Sequence, residues 1–269
     1  MRIGYQRGSA LDNWRRIIAT IIDPGEFCSD TINYFIEANY DLYALLALLN
    51  ASVAEWRFRL TSTTNHVNVY EIDALPMPRL SFTTPQEERA RLVKEGIAQA
   101  TAWVQDADPA QPESYRAFLR ADLGKWVTAR LKADPEQSDV IHDLLAHLAE
   151  QMMAMNEDKQ VEVKGFLSWL EAFLGCLVDD LSGKTYVRAY HERTFDELLA
   201  TLKKNRRRIQ PDLDRRGPLE ALQAEWETSM GKLRPLLARI AATDRLIDLI
   251  VYRLYGLTED EVAVVEGTR

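Results

Sequence analysis

Cysteine is nearly missing: Cys28 and Cys176 are the only two in 269 residues, far apart and without a CxxC. A disulfide framework or zinc cluster needs more, so a reducing, cytoplasmic setting is expected. No apolar run reaches the roughly 18 residues that a membrane-spanning helix needs. Arg2 and Arg7 lead into no apolar stretch, so no secretory signal is expected either. Glycine-rich phosphate loops are lacking. Leu181-Ser182-Gly183-Lys184-Thr185 resembles the end of one, but Val178 stands where its leading glycine belongs, in a helical setting. Metal and catalytic constellations fare no better. His142 and His147 point roughly 140° apart on a helix, so even with Glu150 nearby a solvated role is expected over metal binding. Pro211-Asp212 has no acid-x-Lys downstream to complete a nuclease pattern. The neighbours Asp179-Asp180 and Glu157-Asp158 diverge on a helix and read as solvated faces. No catalytic residue and no metal ligand is nominated, and the chain is not expected to be an enzyme by itself.

What is present is an ordinary globular composition, 46% hydrophobic and 28% charged. Net charge is -8, from 33 bases against 41 acids, a weak argument against nucleic acid. The cations are unevenly spread: residues 1–80 hold seven arginines and no lysine, and the first lysine is Lys94.

Two textures follow each other. In residues 1–80, MRIGYQR, RRIIATII and INYFI read as short strands separated by turn residues. Leu42, Leu45, Leu46, Leu49, Val53, Trp56 and Leu60 then mark one face of an amphipathic helix over about 40–60. A polar loop follows, then a short strand at Val67, Val69 and Tyr70, which Pro76 and Pro78 stop. From 83 onward the chain reads as helical. Thr84-Pro85-Gln86-Glu87 is a helix start, with Thr84 as the cap. Asp106–Pro112 breaks that helix. Others are expected near 113–132, 137–156, 159–181, 194–208 and from 218, with Pro235 kinking or ending the last. An apolar run from Leu246 to Leu254 ends at Gly256, a helix C-cap. The 83–106 and 218–254 helices carry narrow apolar stripes that an antiparallel pairing would bury. The expected fold class is α+β: a small mixed domain at 1–80 and a predominantly helical region at 81–269 with long antiparallel spacer helices.

Two stretches are candidates for binding. Residues 201–217, TLKKNRRRIQPDLDRRG, hold seven bases against two acids. Lys203, Lys204, Arg206, Arg207 and Arg208 suit phosphates, and equally suit a solvated helix C-terminus. In FRLTSTTNHVN, Arg57 and Arg59 suit phosphate or a guanine edge. Thr61, Ser62, Thr63, Thr64, Asn65, His66 and Asn68 are uncharged hydrogen-bonding groups that can read base edges. The plainer alternative is a hairpin whose hydroxyls cap the preceding helix.

DLYALLALLNASVAEWRFRL followed by TSTTNHVNVYEIDALPMP resembles the target-recognition region of type IIG restriction–modification enzymes and related adenine-N6 DNA methyltransferases; type I specificity subunits share the plan. DPGEFCSDTINYFI before it, and AHLAEQMMAMNEDKQVEVKGFLSWLEAFLG, LATLKKNRRRI and TDRLIDLIVYRLYGLTEDEVAVVEG after it, resemble the same proteins in the same order. The resemblance implies sequence-specific binding of double-stranded DNA within a restriction–modification or phage-defence system. The loop residues above would read it, with Arg2, Tyr5, Arg7, Arg15 and Arg16 as further contacts. No Asn-Pro-Pro-Tyr motif and no S-adenosylmethionine loop occurs here. Methylation and cleavage, with their S-adenosylmethionine and Mg, are therefore expected on another domain or subunit, which this chain would position. A rival expectation is a helical module that docks such a partner and touches DNA little.

Overall fold

The computed structural model describes residues 1–35, 40–108 and 110–267. Ile36 of the third expected strand, Pro109 of the expected break, and Thr268 and Arg269 at the end of the expected helical region lie outside the described residues. The fold is α+β. The chain forms two compact units: residues 1–152 with 241–269, and residues 153–240. The expected boundary at 80 coincides with neither, because the segment after 80 is hydrogen-bonded into the first unit.

In the first unit, β1 (Arg2–Gln6) is the middle of a three-stranded antiparallel sheet, between β2 (Ala19–Ile22) and β3 (Ile32–Tyr34). Register runs Arg2↔Ile22 on one side and Gly4↔Tyr34 on the other. Gly4 leaves room at the centre for the Ile22 side chain: a Cβ there would lie 2.2 Å from Cδ1 of Ile22, which would have to turn aside. The helix expected over 40–60 is two helices, α1 (Leu42–Asn50) and α2 (Ser52–Arg59). Ala51 between them is extended, at φ -73° and ψ 152°. Asp248 accounts for the break, since its carboxylate accepts the Ser52 N–H at 2.7 Å and also the Ser52 hydroxyl, all buried. Asn50 ties α1 to β2 by exchanging two hydrogen bonds of 3.1 Å with the Ala19 backbone.

The strand expected at 67–70 is reduced to one bridge, Gly8 to His66; Val69–Asp73 is instead a short helix, α3. A capping box decides it, with Asn68 and Glu71 exchanging bonds across the first turn. Thr84 does not cap α4 (Gln86–Asp106): its N–H and hydroxyl both donate to buried Asp139, at 3.0 and 2.7 Å. Pro85 takes the cap position. α5 (Tyr115–Arg120) and α6 (Asp122–Leu131) follow. The buried face of α4 meets α6: Gly96 lies against the Trp126 ring, where a Cβ would come within 2.6 Å.

Two long helices, α7 (Ser138–Leu174) and α10 (Arg216–Leu254), each contain a boundary between the units. The break expected near 157 is absent because Asn156-Glu157-Asp158 is polar but carries neither Gly nor Pro. α10 likewise continues through Pro235. Gly175 at φ 70° ends α7, and Gly256 at φ 70° follows α10 as expected. α11 (Glu259–Gly267) closes the first unit.

The second unit adds α8 (Lys184–Arg188) and α9 (Phe195–Lys203), the latter with a Thr194/Glu197 capping box. Its core gathers Phe166, Leu170, Leu174, Tyr190, Leu202 and Trp226. Tyr190 stacks on Phe166 at 4.0 Å, and burial pushes its phenol up to about 12 while Ser229 hydrogen-bonds it at 2.7 Å.

Candidate nucleic-acid interface

The polar loop leaving α2 lies beside the loop leaving β1. The Val67 N–H donates to the Arg7 carbonyl at 2.7 Å, and the Ser9 N–H to the Asn65 carbonyl at 2.9 Å. The Asn65 side chain accepts the Leu11 N–H at 3.2 Å. Val67 is fully buried, so the alternation of an extended segment turns His66 outward.

Beneath this pair sits Arg16, only 1% exposed. Its guanidinium donates to the Ser62 hydroxyl at 3.0 Å and to the Thr64 carbonyl at 2.5 Å, with longer contacts to the Ser9 and His66 carbonyls. The Phe58 ring lies 4.9 Å away. A buried guanidinium needs counter-charge. Glu55 provides it through space, while its carboxylate accepts the backbone N–H groups of Arg16 and Ile17 at 2.9 and 3.0 Å and pairs with Arg59 at 2.5 Å. Arg59 also donates to the Leu11, Asn13 and Trp14 carbonyls. Burial pulls the Arg16 guanidinium down from its ordinary value, and Glu55 pushes it back in part. Glu71 completes the network. Burial raises its carboxyl, but bonds from the Asn68 backbone, Ser62 and the Asn68 side chain, with Arg16 nearby, leave it below the ordinary value.

The expected DNA contacts therefore separate. Arg16, Arg59 and Ser62 are internal ties, because the carbonyls of two adjoining loops must be satisfied from below. Tyr5 is buried against Phe35, Arg15 pairs with Asp244 at 3.2 Å, and Arg2 lies over the Tyr34 ring and donates to the Glu26 carbonyl. Asn68 is half-buried and bonded to Glu71, and Arg57 is half-buried on α2. Arg7, Thr61, Thr63, Thr64, Asn65 and His66 remain exposed. The loop tied to Asn65 through Ser9 and Leu11 also carries Asn13 and Trp14, which sequence reasoning missed. The available signal was a tryptophan directly after the turn-forming run Gly8-Ser9-Ala10-Leu11-Asp12-Asn13, too polar a place for a core residue.

In the second unit, Lys203 pairs with Asp214 at 2.6 Å, and Arg208 donates to the Asp180 carbonyl. Lys204, Arg206 and Arg207 are exposed.

Among the described residues, no group of three or more His, Cys, Asp or Glu could hold a metal ion, and no helix is long and apolar enough to cross a membrane. His142 accepts the Asp41 N–H at Nε2 and hydrogen-bonds Asp143 through Nδ1, which occupies both ring nitrogens. Cys28 and Cys176 are free thiols.

Residues 138–251 match a family described as a domain of unknown function, DUF8810. This match spans all of the second unit and leaves out the loop pair. No curated protein and no solved structure matches the chain.

Proposed function

We propose that the first unit reads duplex DNA through its loop pair and so serves to position a methyltransferase or nuclease carried on another domain or subunit. One observation carries the reading. Arg7, Thr63, Thr64, Asn65 and His66 face solvent on two loops whose backbones are fastened to each other, above a buried ion network that ties the loop carbonyls from below. Uncharged donors and acceptors held on a fixed frame discriminate base edges, whereas free lysines find phosphate. Arg59 and Ser62 then act as positioning residues.

The test is selection from a random duplex pool with wild type and with Thr63→Ala/His66→Ala. The expected result is an enriched sequence for wild type and a relaxed preference, by about 10-fold or more, for the variant, since a good base contact carries about 1–3 kcal/mol of discrimination. Enrichment of the same sequence by both proteins would overturn base reading by these loops.

A second reading rests on the same surface. Trp14 is 65% exposed and Leu11 49% on the loop tied to Asn65, and large apolar side chains exposed on one loop favour a protein partner. It predicts no enriched sequence from the pool, and loss of binding to the partner subunit in Trp14→Ala.

A further inference from the structure

The basic turn of the second unit is built around a buried amide. α9 ends at Lys203, and the chain turns through Lys204–Arg208 before Ile209 enters the core. Asn205 is 4% exposed and makes three hydrogen bonds: it accepts the Ser182 N–H at 2.8 Å, and donates to the carbonyls of Ser182 at 2.9 Å and Thr201 at 3.0 Å. Arg208 adds a tie to the Asp180 carbonyl, and the Gln210 N–H one to the Leu174 carbonyl at 2.9 Å. Five cations within six residues are thus held in a fixed turn, not on a loose tail.

The turn and Ser182 line an open cleft of about 380 Å³. Lys203 is neutralised by Asp214, and Asp179 is taken by Lys184 and Arg188. Among the described residues, no carboxylate lies within ion-pair distance of Lys204, Arg206 or Arg207. A fixed concave site with three cations that have no ion-pair partner, and a hydroxyl, suits closely spaced phosphoryl groups. It holds no aromatic ring on which a base would stack, which favours the backbone over the bases.

We propose that this cleft binds the phosphodiester backbone of duplex DNA without regard to sequence, a second contact of a kind different from base reading. The choice of ligand rests on the DNA reading above. The cleft anchors and the loop pair discriminates, so each fails in its own way.

The experiment measures affinity of the full chain for a fixed duplex over a series of salt concentrations, for wild type and for Lys204→Ala/Arg206→Ala/Arg207→Ala. Three lost phosphate contacts lower the log–log salt slope by about 2 to 3, and the affinity on the order of 100-fold near 0.1 M salt. The enriched sequence stays the same. All three side chains are exposed, so the variant melts with wild type; the single charge reversal Arg206→Glu, read the same way, guards against a folding defect. An unchanged salt slope in both variants overturns the proposal and leaves the loop reading standing. A lowered slope with Thr63→Ala/His66→Ala still enriching the wild-type sequence overturns the loop reading and leaves this one. A titration with inorganic phosphate separates the sources: if phosphate alone saturates the cleft below millimolar concentration and displaces duplex completely, the site takes a free anion and the backbone proposal falls.

Discussion

The arginines of the two units are held in opposite ways. Arg16 and Arg59 have turned inward, and their guanidiniums are spent on Glu55, on Ser62 and on loop carbonyls. Arg206 and Arg207 reach solvent from a turn that a neutral amide fixes. In the first unit charge is the fastener and, Arg7 apart, the groups displayed by the loop pair are neutral. In the second a neutral group is the fastener and the charge is displayed. A cation's value for binding depends on whether its partners are already within the fold, and nearness in sequence to a polar loop does not reveal that.

The largest effect should come from breaking this contrast at its charged end. Arg16→Ala takes from the Thr64 carbonyl and the Ser62 hydroxyl their guanidinium donor and removes one of the two cations near Glu55, so a loss of about 3–5 kcal/mol is expected. Urea unfolding, with amide exchange of residues 61–67 as the local readout, measures it. Arg206→Ala in the same assay should stay within about 0.5 kcal/mol. Next in size is Asn205→Ala. It removes three hydrogen bonds from a buried position, and about 1–2 kcal/mol of stability should go with them. It should also weaken DNA binding although no charge has changed, because the turn no longer holds its cations together. An Asn205→Ala protein with wild-type affinity would show that the cations act without a fixed frame.

How much of this was legible beforehand follows the range of the interactions. The α+β class, the three strands, the start of the polar loop and the Gly256 cap rest on local patterns, and all appear. The split of the 40–60 helix did not show, because its cause is Asp248, 196 residues from Ser52. The misplaced strand at 67–70 was different: Asn68 and Glu71 spell a capping box in plain view, but the β-branched residues around them outweighed it. Within the candidate site the loop was legible and the roles were not. Arg16 is 39 residues from Glu55 and 48 from Thr64, so no spacing rule assigns it to them. Asn13 and Trp14 were passed over because they lie on the companion loop, whose nearness to Asn65 only the folded chain creates.

The finest way to sharpen the comparison is pH, because each unit has a carboxylate held low beside its cations. Glu71, buried, is held below its ordinary value of 4.5 in the folded protein. A carboxylate depressed by folding contributes stability above its unfolded value, and loses it as pH falls through the folded one. The loop pair should therefore loosen below about pH 4.5. Glu71→Gln should cost about 1 kcal/mol at pH 7 and almost nothing in acid, where the wild-type group is protonated as well. Asp214 is also held low, by the Lys203 hydrogen bond first, but it is fully exposed and solvent screens the pair. Asp214→Asn should accordingly leave the acid limb of the thermal melt where it was, and strengthen duplex binding slightly by freeing Lys203 for phosphate. Thermal melts of the two variants between pH 3 and 7, with duplex affinity measured at the upper end, test both halves. If Glu71→Gln melts in parallel with wild type at every pH, the charge beneath the loop pair is not what holds it.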